Sequence, residues 1–434
     1  MNAPNLRWPD SLWAAVTPGG PELPALLGAE TADVIVIGGG FTGLSTALHL
    51  REAGIDVAVV EAMEPGWGAS GRNNGQVIPT LSRLDPDDII ARHGAAGERF
   101  VALLRDSASL LFDVARRYAI EAEAEQAGWV QPVHSPGRIS IAERRVRQWG
   151  KFGAPVELLS RDRVSEMLGS EAWFGGFWNR SGGHINPLAL ARGLACAVLR
   201  HGGRIYARSP ALAFERRNDR WHVRSAKGEI SGRALLVATN AYSGEFAPSL
   251  VSPIAREVIP VLSWQMATAP LSDNIRSTVI PGRQAMSDTH GELYFARYDA
   301  RNRLVTGGAV IGPGDKAERL KRRVAARLQR LWPQLGEVGF DYVWNGYVGM
   351  TTDFLPRIHH LGPDAYGWTG CNGRAVALTI ALGREFAKAL CGAKHDDLAL
   401  PFTQIAPLPF HRSFRTLAPL MLLRYRRRDA REIT

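Results

Sequence analysis

Three glycines and one acid carry the clearest chemical signal in this chain. Gly38, Gly40 and Gly43 fit the spacing G-x-G-x-x-G, and Glu61 follows about 20 residues later. Gly38 permits a tight turn, Gly40 lets backbone approach a diphosphate, and Gly43 lets a helix pack close to a strand. Phe41, Thr42 and Gly43 open that helix. Its unpaired N–H groups and positive dipole end favour an anion. Glu61, with Ala62 beside it, stands where a carboxylate accepts a ribose hydroxyl. The implied chemistry is the holding of a dinucleotide. The sequence offers no Ser/His/Asp or paired-carboxylate constellation, and no catalytic side chain is assigned.

A second stretch, 66–77, reads Gly-Trp-Gly-Ala-Ser-Gly-Arg-Asn-Asn-Gly-Gln-Val. It is too rich in glycine and small residues for a helix or sheet interior. Ala69, Ser70, Gly71, Arg72, Asn74, Gly75 and Gln76 suit a loop lying flat along a long cofactor, and a plain surface loop is the alternative. Arg72 offers a positive charge to a diphosphate or to a substrate. Further on, the apolar run Ala234 to Val237 stops at Ala238-Thr239, which a return to the same sheet would set beside the glycine turn. Near the end, Tyr366 to Thr369, the turn Gly370-Cys371-Asn372-Gly373 and the residues Arg374, Ala375 and Val376 repeat a strand, a turn and a helix start. This second positive helix end lacks a phosphate motif. A reduced flavin bears negative charge near N1 and its C2 oxygen, which such an end stabilises, whereas a nicotinamide has no such need. Trp264, Tyr294 and Met350 are candidates for an apolar substrate wall or for ordinary core.

The elements that must position these residues follow from periodicity. Val34 to Ile37 is a β-branched run expected of a strand buried on both faces. A helix to Gly54 and a second strand, Asp56 to Val60, complete a βαβ start. Leu84 to Glu123 is helical in period, with Asp85 or Asp87 as N-cap, and Pro187 to about His201 is a helix capped by Asn186. Ile259 to Thr268, Leu293 to Arg297 and Leu304 to Val310 have strand composition, and Asp315 to Leu331 is a charged amphipathic helix. The expected class is α/β: a Rossmann-like dinucleotide-binding domain with a parallel sheet, interrupted by a mostly antiparallel α+β substrate domain. The expected division is an arm at 1–31, cofactor-binding segments at 32–83, 184–245 and 340–400, cap segments at 84–183 and 246–339, and a tail at 401–434; the resemblance given below makes the first of these domains FAD-binding.

The formal net charge is +10, carried by arginines spread along the chain, which argues for a basic solvated surface and against a nucleic-acid stripe. Cys196, Cys371 and Cys391 are far apart and form no C-x-x-C pair. That spacing argues against a disulfide framework or a metal site and fits a reducing, cytoplasmic setting. No run approaches the roughly 20 apolar residues of a membrane span, and no signal-peptide pattern opens the chain. Leu417 to Leu423 is apolar and Arg424, Arg426, Arg427 and Arg428 follow. Such a segment suits a weak membrane-surface contact, or a helix docked on its own protein with a solvated basic end.

In this order, the Gly38/Gly40/Gly43 unit, Glu61, the Gly66–Gln76 loop, Ala238-Thr239 and the closing turn resemble the D-amino-acid oxidase-like family of FAD-dependent oxidoreductases. The likeness runs from about Pro9 to Leu400, and the Gly-Trp-Gly-Ala-Ser-Gly-Arg run looks most like the gamma-glutamylputrescine branch. The resemblance implies FAD buried between two domains and oxidation of a C–N bond in an amine or amino acid. Hydride passes to flavin N5, and the imine hydrolyses to an aldehyde or keto product. It places Ala211 near adenine and Gly373 to Val376 near the pyrimidine end of the ring. Three positions depart from sarcosine-type members. Gly346 stands where they carry a flavin-linking cysteine, so FAD is expected to be non-covalent. Val305 stands where they carry a lysine that helps oxygen react, leaving oxygen or another acceptor open. Ala377 replaces the substrate-carboxylate lysine, a task open to Arg72 or Arg374 unless Arg374 is a surface residue. A flavin protein without amine turnover and a nicotinamide dehydrogenase are the competing readings.

Overall fold

Gly28–Ile37 is the central strand of the first sheet, with Gly228–Val237 on one side and Val57–Val60 on the other, all parallel. The computed structural model describes residues 8–247, 249–310 and 315–432; positions 1–7 of the expected arm and 433–434 of the tail lie outside the described residues. Across the sheet the order is Arg357–Gly362, Ala365–Thr369, Gly228–Val237, Gly28–Ile37, Val57–Val60 and Arg204–Tyr206. Only Arg357–Gly362 runs antiparallel on this path, and a hairpin of Ala213–Arg217 and Arg220–Arg224 extends Gly228–Val237. Val34 to Ile37 are buried, as a two-sided strand requires. The strand begins earlier than its apolar run because Gly28 to Ala32 keep pairing with Gly228 to Gly232. Those first residues are largely exposed, so hydrophobic pattern does not mark them.

Helices Phe41–Glu52, Pro187–Arg200 and Val376–Leu390 share one core with this sheet. Phe41–Glu52 is buried almost all round, which explains why its sequence is apolar without a polar face.

The second sheet runs Phe340–Met350, Ile259–Thr268, Leu304–Gly308, Phe295–Tyr298, Ala285–Ser287, Trp129–Pro132, Gly176–Asn179 and Val156–Leu159. It is antiparallel except where Ala285–Ser287 meets Trp129–Pro132. Helix Lys316–Leu331, capped by the Asp315 side chain, lays Leu320, Val324 and Leu328 on it. The α/β class, with one parallel and one mostly antiparallel sheet, is therefore as expected.

Two segments sit differently from the expected division. Helix Pro86–Arg117, assigned to the cap, buries Phe100, Leu104 and Leu111 in the core of the first sheet. Strand Phe340–Met350, assigned to the FAD-binding part, pairs along the whole of Ile259–Thr268. Amphipathicity shows that an element covers a sheet, not which of two sheets it covers. The arm is not extended throughout either. Ser11 caps a short helix, Leu12–Val16, and Trp13 is fully buried, donating from Nε1 to the Asn73 carbonyl at 2.8 Å. The tail forms helices His411–Leu417 and Met421–Glu432.

Candidate active site

The first strand-to-helix corner is built as its glycines predict. Gly38 has φ 110°, and a Cβ there would lie 2.9 Å from the Ala238 carbonyl oxygen. Ala238 in turn donates its N–H to Ile37, so the end of the Gly228–Val237 strand does stand beside the turn. A Cβ on Gly43 would run into the Gly38 carbonyl oxygen. Gly39, inside the motif, matters as well: its N–H donates to Glu61 Oε2 at 2.5 Å. Glu61 Oε1 accepts from Met63 N–H at 2.8 Å. Burial pushes the Glu61 carboxyl above its ordinary value, against the pull of the Met63, Gly39 and Ala62 N–H groups. Ser70 reaches the same corner, its Oγ accepting from Phe41 N–H at 3.0 Å.

The second corner follows strand Ala365–Thr369. Asn372 has φ 49° and Gly373 φ 73°, a tight left-handed turn, and Val376–Leu390 starts with no side-chain cap. Asn372 is tied on both sides: its N–H donates to Gly349 O, and its Oδ1 accepts from Thr351 N–H, each at 2.9 Å. The free N–H groups of this helix are therefore left to face whatever lies beyond the turn.

Both corners open onto one cavity of about 810 Å³. Its wall holds Gly38, Gly40, Phe41, Thr42, Glu61, Ala62, Ala69, Ser70, Arg72, Asn74 and Gln76 from the first part of the chain. Ala211, Ala238, Thr239, Gly346, Gly373, Arg374, Ala375 and Val376 join it from later segments, and Trp264 and Met350 line it from the second sheet. Gly43, Gly71 and Gly75 are not on this wall. They act one layer behind, where a Cβ would strike the carbonyl oxygens of Gly38, Gly66 and Ile185 respectively. Tyr294 is displaced from the site expected of it. It is stacked on His290 at 4.0 Å, beneath the Arg327 guanidinium, and lines a different hollow.

Arg72 stacks its guanidinium over Trp67 at 4.1 Å and donates from Nε to the Trp67 carbonyl at 2.6 Å. It packs against Gly346, where any larger side chain would crowd its Cβ. Arg374 is no surface residue: it is 4% exposed, lies over Trp129, and donates to the Leu81 carbonyl. Burial holds its pKa well below the ordinary arginine value, and the neighbouring Arg145 and Arg83 lower it further. Arg83 shares the wall, over Phe354 and Tyr425. The sequence reading missed Arg83, Tyr242, Gln265, Glu292 and Tyr347, all on the wall, and no spacing rule marks them. It also missed Arg297, fully buried behind the loop, which donates to the carbonyls of Asn74 and Ile185 and so fixes the backbone at Gly75.

The wall suits a long, polar-ended ligand such as FAD. Buried Thr42 Oγ1, Gln265 Oε1 and Arg374 Nη2 have no hydrogen-bond partner among the described residues, and all three belong to wall residues. Such atoms are costly unless something else satisfies them. A carboxylate for a ribose stands at one end, and an uncapped helix N-terminus stands at the other.

Comparison with known proteins agrees. Residues 33–389 match the FAD dependent oxidoreductase family, DAO. Gamma-glutamylputrescine oxidoreductase of Escherichia coli (strain K12) is 32% identical over 387 residues, covering 89% of each chain. A probable oxidoreductase, OrdL, of Haemophilus influenzae is 30% identical over 390 residues, again covering 89% of each. Among solved structures, L-proline dehydrogenase from P. horikoshii superposes with a TM-score of 0.73 at 20% identity, over 86% of this chain and 98% of that one. Glycine oxidase from Geobacillus kaustophilus gives 0.72 at 19% identity, over 88% and 100%. These two likenesses show the fold. With two strand-to-helix corners meeting on one cavity and a family match across most of its length, this chain belongs to the DAO family of FAD-dependent oxidoreductases, has FAD as its cofactor, and resembles the gamma-glutamylputrescine oxidoreductase branch.

Proposed function

We propose that this enzyme oxidises a C–N bond in an amine or amino acid related to gamma-glutamylputrescine, the compound named in its Escherichia coli relative. One observation carries the reading: the Gly38–Phe41 and Gly370–Val376 corners share a cavity whose wall also holds the aromatic and apolar side chains of Trp264, Tyr347 and Met350 and the cations Arg72 and Arg83. Bound FAD supplies a ring that accepts a hydride equivalent from the carbon beside nitrogen. The chain supplies the rest. Gly39 and Met63 N–H groups fix the Glu61 carboxylate toward a ribose. The helix Val376–Leu390 directs its N-terminal dipole at charge arising near Gly373. Trp264, Met350 and Tyr347 exclude water from the reacting carbon. Arg83 and Arg374 supply positive charge for an anionic group of the substrate, the task that Ala377 cannot perform. Gly346 leaves no thiol for a covalent flavin link, so FAD is held non-covalently.

FAD binding belongs to the first sheet with its helices, and substrate binding to the second sheet. Val305 is buried in an apolar cluster with Trp13 and Trp344 and offers no cation to oxygen, which favours an acceptor other than oxygen. The separated free cysteines Cys196, Cys371 and Cys391 fit a reducing compartment such as the cytoplasm.

Anaerobic titration tests the reading. The purified protein should be yellow, and gamma-glutamylputrescine, or a member of a panel of polyamines, N-methyl and D-amino acids, should bleach it. A yellow protein that no amine bleaches overturns amine oxidation. Reoxidation by oxygen, compared with an artificial dye, then identifies the acceptor class.

A further inference from the structure

The C-terminal helices have two dissimilar faces. On Met421–Glu432, one stripe turns inward: Arg426 Nε pairs with Glu292 at 2.7 Å, Asp429 Oδ2 accepts from Gly291 N–H at 2.7 Å, and Glu432 accepts from Arg138 at 2.9 Å. His411 bonds the Val258 carbonyl at 2.8 Å, so the preceding helix is tied down too. Most of the large apolar side chains that stand exposed among the described residues fall in this one segment. They are Phe410, Phe414, Leu417, Leu420, Met421 and Leu423, with Phe410 82% exposed. Arg412, Arg415, Arg424 and Arg427 stand exposed among them. Between Leu398 and Arg428 the chain has six arginines and no aspartate or glutamate.

We propose that this outer face docks on an anionic lipid bilayer. Contiguous apolar side chains flanked by arginines are what an interfacial helix uses: rings and leucines enter the headgroup boundary, and guanidinium groups meet lipid phosphates. Charge decides against a second copy of this chain as occupant. A two-fold contact would set the same acid-free arginine face against itself, where like charges repel. The inward ion pairs fix the orientation of the face, so docking does not require the helices to leave the protein. Phe414, Arg415 and Met421 also border the cavity, so the bilayer would lie against its mouth.

Vesicle co-sedimentation of the full-length, FAD-loaded protein tests this. Vesicles of phosphatidylglycerol mixed with phosphatidylcholine should bind it, pure phosphatidylcholine vesicles should bind it far less, and raising salt should release it. The double variant Arg424→Glu/Arg427→Glu should weaken binding by at least about tenfold. Leu417→Ser/Leu420→Ser should weaken it at low salt as well, with flavin absorbance and thermal midpoint unchanged in both. Equal binding to neutral vesicles, no binding to either kind, or wild-type binding by the variants overturns the proposal. So does a dimer in sedimentation velocity that the leucine variant dissociates, because the patch would then belong to a second copy.

Discussion

Gly40 is the helix N-cap of the first corner, and a Cβ there would sit 3.0 Å from Ser70 Oγ, the atom that accepts from Phe41 N–H. Gly40→Glu forces that hydroxyl aside and puts a carboxylate where a diphosphate is expected. The variant should fold and purify without flavin, read as loss of the visible absorbance at unchanged circular dichroism; normal flavin content contradicts the assignment. Arg83 and Arg374 make a second residue-scale prediction. Two close guanidinium groups, one of them fully desolvated, are stabilised by an anion between or beside them. Arg83→Ala should raise KM about tenfold or more for amines that carry a carboxylate, as one charged hydrogen bond is worth roughly 1.5–3 kcal/mol. It should leave KM for simple diamines nearly unchanged, and steady-state kinetics on the two substrate classes distinguishes the cases. Burial is what the sequence withheld at these positions. Gly38, Gly40, Gly43 and Glu61 were legible because their spacing is a local property of one βαβ unit. Arg374 looked equally like a surface residue, because Trp129, Leu81 and Arg145 reach it only through the fold.

At the scale of elements, the tail helix, the loop 288–292 and the chain just past the strand end at Pro132 meet around the stacked rings of His134, His290 and Tyr294. His134 lies on His290 at 3.9 Å and bonds Thr289 Oγ1 at 2.8 Å, with Glu432 3.3 Å from its Nε2. Burial, and then the neighbouring His290, lower the His134 pKa to about 4, despite the opposing pull of Asp288 and Asp429; Arg138 adds to the lowering. In the unfolded chain the same ring titrates near 6.5. Between these two values the unfolded state binds the extra proton, so this site's stability is whole above pH 6.5 and is lost as pH falls toward 4. The loss amounts to at most about 3 kcal/mol. His134→Gln should flatten that acid limb in denaturant melts taken across the interval, and an unchanged limb refutes the account. His134, Asp429 and Glu432 also bring ligand atoms within 4.8 Å of one another, but Arg138 and Arg428 already hold both carboxylates. None of this was legible beforehand, since residues 134, 290 and 432 meet only through sheet register and tail docking. Helix Pro187–Arg200 was legible almost to the residue, because the Asn186 cap and Pro187 stand at its own start.

Over the whole molecule, both eight-stranded sheets contribute residues to the cavity, and its wall draws on segments from Ile37 to Tyr425. A ligand that touches so many separated segments binds the folded state and not the unfolded one. Added FAD should therefore raise the melting midpoint of protein stripped of flavin, by an amount that grows with the logarithm of its concentration. At a hundredfold excess over Kd the gain is about 2.7 kcal/mol. Gly40→Glu should show no such rise; a midpoint indifferent to FAD in the wild type contradicts a shared site.

The second corner lies at Gly370 to Val376, far along a chain of 434 residues, while the first is finished by Glu61. During synthesis the first corner leaves the ribosome long before its counterpart exists. The growing chain meanwhile carries the edge of Gly228–Val237 that will pair with Ala365–Thr369, and nothing yet covers it. Nascent polypeptides halted short of Val376 must therefore be flavin-free and open to chaperones, and cofactor uptake becomes one of the last events in the birth of the enzyme.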